Sequence, residues 1–223
     1  MQQDLPSAIA FFDLDKTLLR VNSGGLWVKS ELRGGHISRK QALKATWWLA
    51  KYHLGFAEIQ GALRQAVATL RGVPVAEIEA RATSFYHREV AHQYRPGARP
   101  AVAHHRALGH RLVLLTSSSP YLSVHVAEDL GLDGFLCNRF EVEDGVHTGL
   151  PIEPLCYGAG KVTLARAYAD RHGVDLADCT FYSDSMSDAP MLAAVGRPQV
   201  VSPDPRLKRH ARRAGWPILD WDL

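Results

Sequence analysis

Three cysteines in 223 residues, Cys137, Cys156 and Cys179, with no Cys-x-x-Cys pair, argue against a disulfide framework and a thiolate zinc site. They point to a reducing compartment. No apolar run approaches the ~20 residues needed to span a bilayer. The N-terminus lacks the basic region, apolar stretch and small-residue cleavage site of a secretory signal. Charge is nearly balanced: 26 Lys and Arg against 23 Asp and Glu leave +3, too little to select a partner of either sign. Eleven histidines, among them His104-His105, show no His-Glu-x-x-His spacing and read as surface residues. Internal repeats and low-complexity segments are also missing. These absences leave a soluble, cytoplasmic protein, long enough for one large domain or a domain carrying an insertion.

Against that background, Ala8-Ile9-Ala10-Phe11-Phe12-Asp13-Leu14-Asp15-Lys16-Thr17 stands out. Five apolar residues, too few for a helix and rich in aromatics, read as a strand buried on both faces. The strand ends in two carboxylates one residue apart. Held so close they repel, and the space above the sheet edge calls for a hard divalent cation with oxygen ligands, Mg²⁺ above all. Two further apolar runs end in polar chemistry: Arg111-Leu112-Val113-Leu114-Leu115-Thr116-Ser117 and Thr180-Phe181-Tyr182-Ser183-Asp184-Ser185-Met186-Ser187-Asp188. Between them Gly158-Ala159-Gly160-Lys161 opens an amphipathic segment.

From residue 22 to about 95 the pattern is helical. One helix is expected over 25–32, and Ser38-Arg39-Lys40-Gln41 is a capping-box start for another. Gly55 would end that helix, 56–70 would form the next, and Pro74 would be the first residue of a fourth. Beyond Arg95-Pro96-Gly97, helices and strands alternate, with helices over 100–108, 121–130, 161–172 and 190–195 and strands over 112–115, 179–182 and 199–201. Residues 135–140 and 146–149, joined by Asp144-Gly145, read as a hairpin. Alternation of this kind predicts an α/β fold, a doubly wound, mainly parallel sheet. Residues 1–21 and 96–223 would form this core, and 22–95 an inserted helical bundle. Every chemical motif then lies at the C-terminal edge of the sheet, where such folds bind ligands.

The four pieces, in this order and spacing, resemble the motifs of the haloacid dehalogenase superfamily. The helical insert directly after the first motif is similar to the subgroup that contains phosphoserine phosphatases. That resemblance implies Mg²⁺-dependent phosphomonoester hydrolysis through an aspartyl-phosphate. Asp13 would be the nucleophile and Asp15 the general acid and base. Mg²⁺ would be held by Asp13, the backbone carbonyl of Asp15, and Asp184. Thr116 and Lys161 would stabilise the phosphoryl oxygens, with Thr17 and the Ser117 amide also on the phosphate side. Asp188 would position Lys161 or a metal-bound water, or else cap the helix at Pro190. Asn22, Ser23 and Trp27, nearest the first motif, are candidate substrate contacts in the cap.

The substrate expected is a small phosphorylated metabolite. Phosphoserine phosphatases carry a Glu shortly after the first motif, two glycines after the second-motif hydroxyl, and an Asn before the last Asp. Here Arg20-Val21-Asn22-Ser23 has no acid, Ser117-Ser118 replaces the glycines, and Ser187 replaces the Asn. Histidinol-phosphate and lysophospholipid or lipid-headgroup phosphatases are therefore alternatives, with a non-catalytic phosphate-binding protein further off. Trp47-Trp48 with Lys51, Tyr52 and His53 reads either as bundle core or as an aromatic–basic substrate or lipid surface. The basic stretch 206–213 reads as a solvated helix, with a nucleic-acid or membrane surface as the alternative. Oligomeric state is left open.

Overall fold

The computed structural model describes residues 8–53 and 59–222, the side chains of 48–53, 59, 60 and 62 excepted. Six parallel strands form the central sheet: β1 (Ile9–Phe12), β2 (Arg111–Leu115), β3 (Gly134–Leu136), β6 (Thr180–Ser183), β7 (Arg197–Val201) and β8 (Ile218–Leu219). Their spatial order is β3-β2-β1-β6-β7-β8. The remaining strands, β4 (Arg139–Glu143) and β5 (Val146–Ile152), make a separate antiparallel hairpin. The connection order reverses beside β1, flanked by β2 on one side and β6 on the other, so the crevice of a doubly wound sheet opens above the ends of β1 and β6.

Side-chain alternation sorts the strands into two cores. Ile9, Phe11, Val113, Leu115, Phe181 and Val200 face one way. They pack under α7 (Ala159–Arg171), α8 (Ala189–Ala194) and α9 (Pro205–Ala214). Ala10, Phe12, Leu112, Leu114, Tyr182 and Val201 face the other, against α5 (Ala98–Ala107) and α6 (Pro120–Leu130). β1 is buried at every position, which explains why its sequence is unbroken apolar rather than alternating.

Between β1 and α5 lie α1 (Ser23–Arg33), α2 (Arg39–His53), α3 (Ile59–Ala68) and α4 (Val75–Phe85). The chain leaves and re-enters the core along paired segments: Leu19 bridges Tyr94, and Arg20 N–H donates to Gln93 O at 2.9 Å. Ser38 and Gln41 make the capping box the sequence predicts, with Ser38 N–H donating to Gln41 Oε1 at 2.8 Å and Gln41 N–H to Ser38 Oγ at 3.3 Å. The insertion lies on the hairpin: Gly72 N–H donates to His147 O and Val75 N–H to Gly145 O, each at 2.9 Å.

Several sequence expectations are corrected. Pro74 precedes its helix as an extended residue at the N-cap instead of opening it, since it bridges Val146 on the hairpin. Residues 135–140 are not one hairpin arm: Phe135 pairs with Leu114 in the main sheet, and the hairpin starts at Arg139. The Asp144-Gly145 turn holds, both residues having positive φ (49° and 78°). β8 escaped notice because two residues carry no periodicity. Gly55 and Phe56 lie outside the described residues. Trp47 is 51 % exposed, so its ring is not bundle core, and the side chains of Trp48, Lys51, Tyr52 and His53 are outside the described set. Among the described residues no helix is long and apolar enough to cross a membrane.

The histidines are not all on the surface. His105 is 4 % exposed, its Nε2 2.9 Å from Tyr182 Oη and its Nδ1 2.8 Å from Nδ1 of His110. Two imidazole nitrogens this close need one of them unprotonated. Burial, then the neighbouring His110, pushes the His105 pKa down to about 4. The native state thus resists a proton that the unfolded chain takes up near pH ~6.5, and stability contributed by neutral His105 is lost as pH falls from there towards 4. Wild type should therefore lose up to about 3 kcal/mol more than His105→Gln between pH 7.5 and 4, read by denaturant unfolding. A constant difference would overturn this.

Candidate active site

Asp13 continues β1 by one residue, its N–H donating to Tyr182 O at 3.0 Å, so its carboxylate emerges over the switch point. The chain then turns tightly. Lys16 is left-handed (φ 59°), a conformation costing a non-glycine residue about 1 kcal/mol or more. Local bonds hold it there. Lys16 N–H donates to Val21 O at 3.0 Å, and Arg95 Nε donates to Lys16 O at 3.0 Å, while the Arg95 guanidinium is also paired with Asp222. The turn brings Thr17 back over Asp13: its hydroxyl lies 3.2 Å from Asp13 Oδ2 and 3.3 Å from Asp184 Oδ1.

Lys161 enters from the first turn of α7. It is 1 % exposed, and its ammonium donates to Asp13 Oδ1 at 2.7 Å and to Asp188 Oδ2 at 2.8 Å. Ser183 Oγ donates to the same Asp188 oxygen at 2.7 Å. Asp188 makes no side-chain capping bond to α8, so the capping alternative falls away. Gly160 lets α7 start here, because a Cβ at that position would stand 1.9 Å from Leu155 O. Gly160→Ala should therefore displace Lys161, lowering stability by about 1–3 kcal/mol. A wild-type value in an unfolding assay would sink that expectation.

The charges do not balance. Burial pushes the Asp13 carboxyl up to about 7; Lys161 opposes the rise, and Asp188 and Asp15 add to it. Burial, then Asp13 and Asp188, raises Asp184 well above the usual carboxylate range. Burial works to strip the Lys161 proton, but Asp13 and Asp188 outweigh it and hold the ammonium charged. Of these four carboxyl groups only Asp13 and Asp188 bond the buried ammonium, and among the described residues no salt bridge reaches Asp184 beside them. A hard divalent cation suits such an oxygen set. No group of three His, Cys, Asp or Glu side chains converges on a metal position among the described residues. The Asp15 side chain is engaged by the cap: Asp15 Oδ1 accepts from Ser23 N–H at 2.7 Å and Oδ2 from Asn22 Nδ2 at 3.4 Å. Two side chains and a main-chain oxygen would complete the protein's share, which fits Mg²⁺ because it keeps several waters.

The other expected residues divide. Thr116, buried at the end of β2, accepts at Oγ1 from Ser118 N–H at 3.1 Å, which leaves its own O–H to donate. The Ser117 hydroxyl donates to Cys156 O at 2.7 Å, which leaves the amide as the group of this residue expected at the phosphate. The Asn22 side chain is engaged too, accepting from Gly25 N–H at 2.8 Å to cap α1 while it touches Asp15. Trp27 packs edge-on against Phe85 at 5.2 Å between ring centroids. Thr17 braces two carboxylates, so its hydroxyl is already engaged within the site.

Sequence reasoning missed four supports. Asn138 ties two loops, donating to Ser117 O at 2.6 Å and accepting from Cys156 N–H at 2.8 Å. Ser183 and Arg95 act as above, and Asp204 accepts from Met186 N–H at 2.8 Å. An Asp before Pro205 signalled a helix cap, which it is; nothing local signalled the others.

The profile of haloacid dehalogenase-like hydrolases matches residues 10–193. Phosphoserine phosphatase SerB1 of Mycobacterium tuberculosis is 32 % identical over 221 residues, 97 % of this chain and 72 % of its own length. The inhibition of morphological differentiation protein of Streptomyces azureus is 34 % identical, over 97 % and 79 %. A histidinol-phosphatase of Neisseria meningitidis is 26 % identical, over 96 % and 98 %. A crystal structure of a protein of unknown function from Bordetella pertussis superposes with a TM-score of 0.88 at 27 % identity, covering 97 % of this chain and 99 % of that one. A substrate-bound phosphoserine phosphatase shares the fold, with a TM-score of 0.72 at 18 % identity over 99 % and 95 %. Sequence motifs, sheet order and these similarities agree: the chain belongs to the haloacid dehalogenase-like hydrolase family.

Proposed function

We propose that the chain is a Mg²⁺-dependent phosphomonoester hydrolase for a small phosphorylated metabolite. Residues 22–95 would act as a cap over a core of 1–21 and 96–223. The observation that carries this reading is the buried Lys161 ammonium, which joins Asp13 to Asp188 beside Asp184 at the switch point.

In this reading an Asp13 carboxylate oxygen forms a bond to phosphorus as the ester P–O bond breaks. The departing alkoxide takes a proton from Asp15. Burial raises the Asp15 pKa, with the Ser23 bonds opposing, so the carboxyl tends to keep the proton it must give. Water then attacks the phosphorus of the aspartyl-phosphate, Asp15 accepts its proton, and the Asp13 carboxylate and inorganic phosphate are regenerated. Lys161 and Thr116 face the phosphoryl oxygens. Asp13, Asp184 and the main-chain carbonyl of Asp15 would hold Mg²⁺, which would supply the positive charge that lets an anionic nucleophile meet an anionic phosphate.

Phosphoserine is the first substrate to test, given the similarity to SerB1. Histidinol phosphate is the second reading, favoured by coverage of nearly the whole length of the Neisseria relative. The test is phosphate release from phosphoserine, histidinol phosphate, sugar phosphates, nucleotides and lysophosphatidate, with Mg²⁺ and with chelator. One ester well ahead in kcat/KM, and silent with chelator, supports the proposal. Release that survives chelation overturns the Mg²⁺ dependence, and none from any ester overturns the enzyme reading in favour of a phosphate-binding protein without turnover.

A further inference from the structure

The densest charge outside the catalytic crevice lies on α9. Its ten residues include Arg206, Lys208, Arg209, His210, Arg212 and Arg213, with no acid. Leu207 and Ala211 are fully buried and seat the helix against the core. Arg206, Arg209, His210 and Arg213 follow one another at helical spacing along one flank, where like charges repel. With Met186 they line a surface cavity of about 220 Å³. Among the described residues no carboxylate comes within ion-pair distance of these three arginines. Asp204, the nearest acid in the chain, has both oxygens taken, Oδ1 by the N–H groups of Arg206 and Leu207 and Oδ2 by that of Met186. The dipole at the helix end favours only the last-turn cations. The Trp216 ring stands edge-on against His210 at 5.0 Å.

We propose that this cavity is a second anion site, distinct from the phosphoryl site, for a small multiply charged phosphate such as pyrophosphate or the terminal phosphates of a nucleotide. Three guanidinium forks around one concavity match the bidentate geometry of phosphate oxygens. A hollow of about 220 Å³ has room for a diphosphate. The cavity adjoins the catalytic loop. Met186 is held by Asp204, and Asp204 N–H donates to the main-chain oxygen of Asp184 at 2.9 Å. The site requires no turnover, so it stands whatever ester the enzyme hydrolyses.

Calorimetric titration of the full chain with sodium pyrophosphate, in chelator and about 0.15 M salt, tests the proposal. Wild type should bind one equivalent. Arg209→Glu/Arg213→Glu should weaken binding at least tenfold while leaving phosphate release from the best ester unchanged. Lys208→Glu/Arg212→Glu makes the same change in net charge elsewhere on the helix surface and should stay within threefold of wild type. Equal losses in the two pairs would mean diffuse attraction and overturn a built site, as would no binding at millimolar pyrophosphate. Association with phosphatidylserine vesicles but not with pyrophosphate would also overturn it, in favour of a lipid surface.

Discussion

Asp13→Asn should lower phosphate release by about 10⁴-fold or more, because an amide cannot form the covalent intermediate on which both half-reactions of the proposed mechanism depend. The fold should survive. Asn keeps the shape of the side chain, and Lys161 retains its 2.8 Å bond to Asp188. Burial raises the carboxyl replaced to about 7, so its ionisation opposes folding at neutral pH and the amide removes that opposition. Phosphate release and thermal unfolding on the same preparation separate the two effects. Turnover above about one per cent of wild type in a folded Asn variant would eliminate Asp13 as nucleophile.

Lys161→Met should have the largest effect on stability. It removes the one buried cation between Asp13 and Asp188 and leaves two carboxylates facing each other in a site that excludes water. Breaking a buried pair in this way costs about 3–5 kcal/mol. The deficit should depend on pH. Without Lys161 the Asp13 carboxyl, already raised by burial, loses the cation that opposes the rise, so the folded variant binds a proton that the unfolded chain releases, and the variant recovers stability relative to wild type as pH falls. Unfolding in denaturant at pH 8 and pH 5 should show the gap narrowing, and adding Asp188→Asn should restore part of it at pH 8. A gap that stays constant or widens at pH 5 would show that the cost is packing rather than uncompensated charge. Phosphate release should be lost in the variant at either pH.

The parts of the protein readable from sequence are those governed by local pattern. β1 is legible because a strand buried on both faces must be apolar throughout, and its two terminal carboxylates are conspicuous for the same reason. The start of α6 with Ser119-Pro120 and its stop at Gly131 (φ 62°) follow from capping rules. Asp144-Gly145 marks its turn because both positions need positive φ. The break between β3 and β4 was not legible, since Phe135 and Phe140 are equally apolar and only their different partners separate them.

The site shows the same division at the level of single atoms. Sequence named the Ser117 amide, Asn22 and Thr17 for substrate or phosphate from the family resemblance and their place beside the motifs, which says nothing of where their side chains turn. Packing turned Ser117 towards Cys156 and spent Asn22 on the α1 cap and Asp15; it left Thr17 bridging two acids. Arg95 carried no signal at all: it lies 79 positions from Lys16, whose carbonyl it holds.

By itself the sequence determined the doubly wound class, the ends of most elements and the charge types that meet at the sheet edge, since periodicity and capping act over a few residues. Only the tertiary structure decided which oxygen faces which proton. Lys161 and Asp13 are 148 positions apart, Thr17 and Asp184 are 167. The burial that shifts their pKa values belongs to the packed whole, because desolvation depends on every element that closes over a charge and not on its neighbours in the chain.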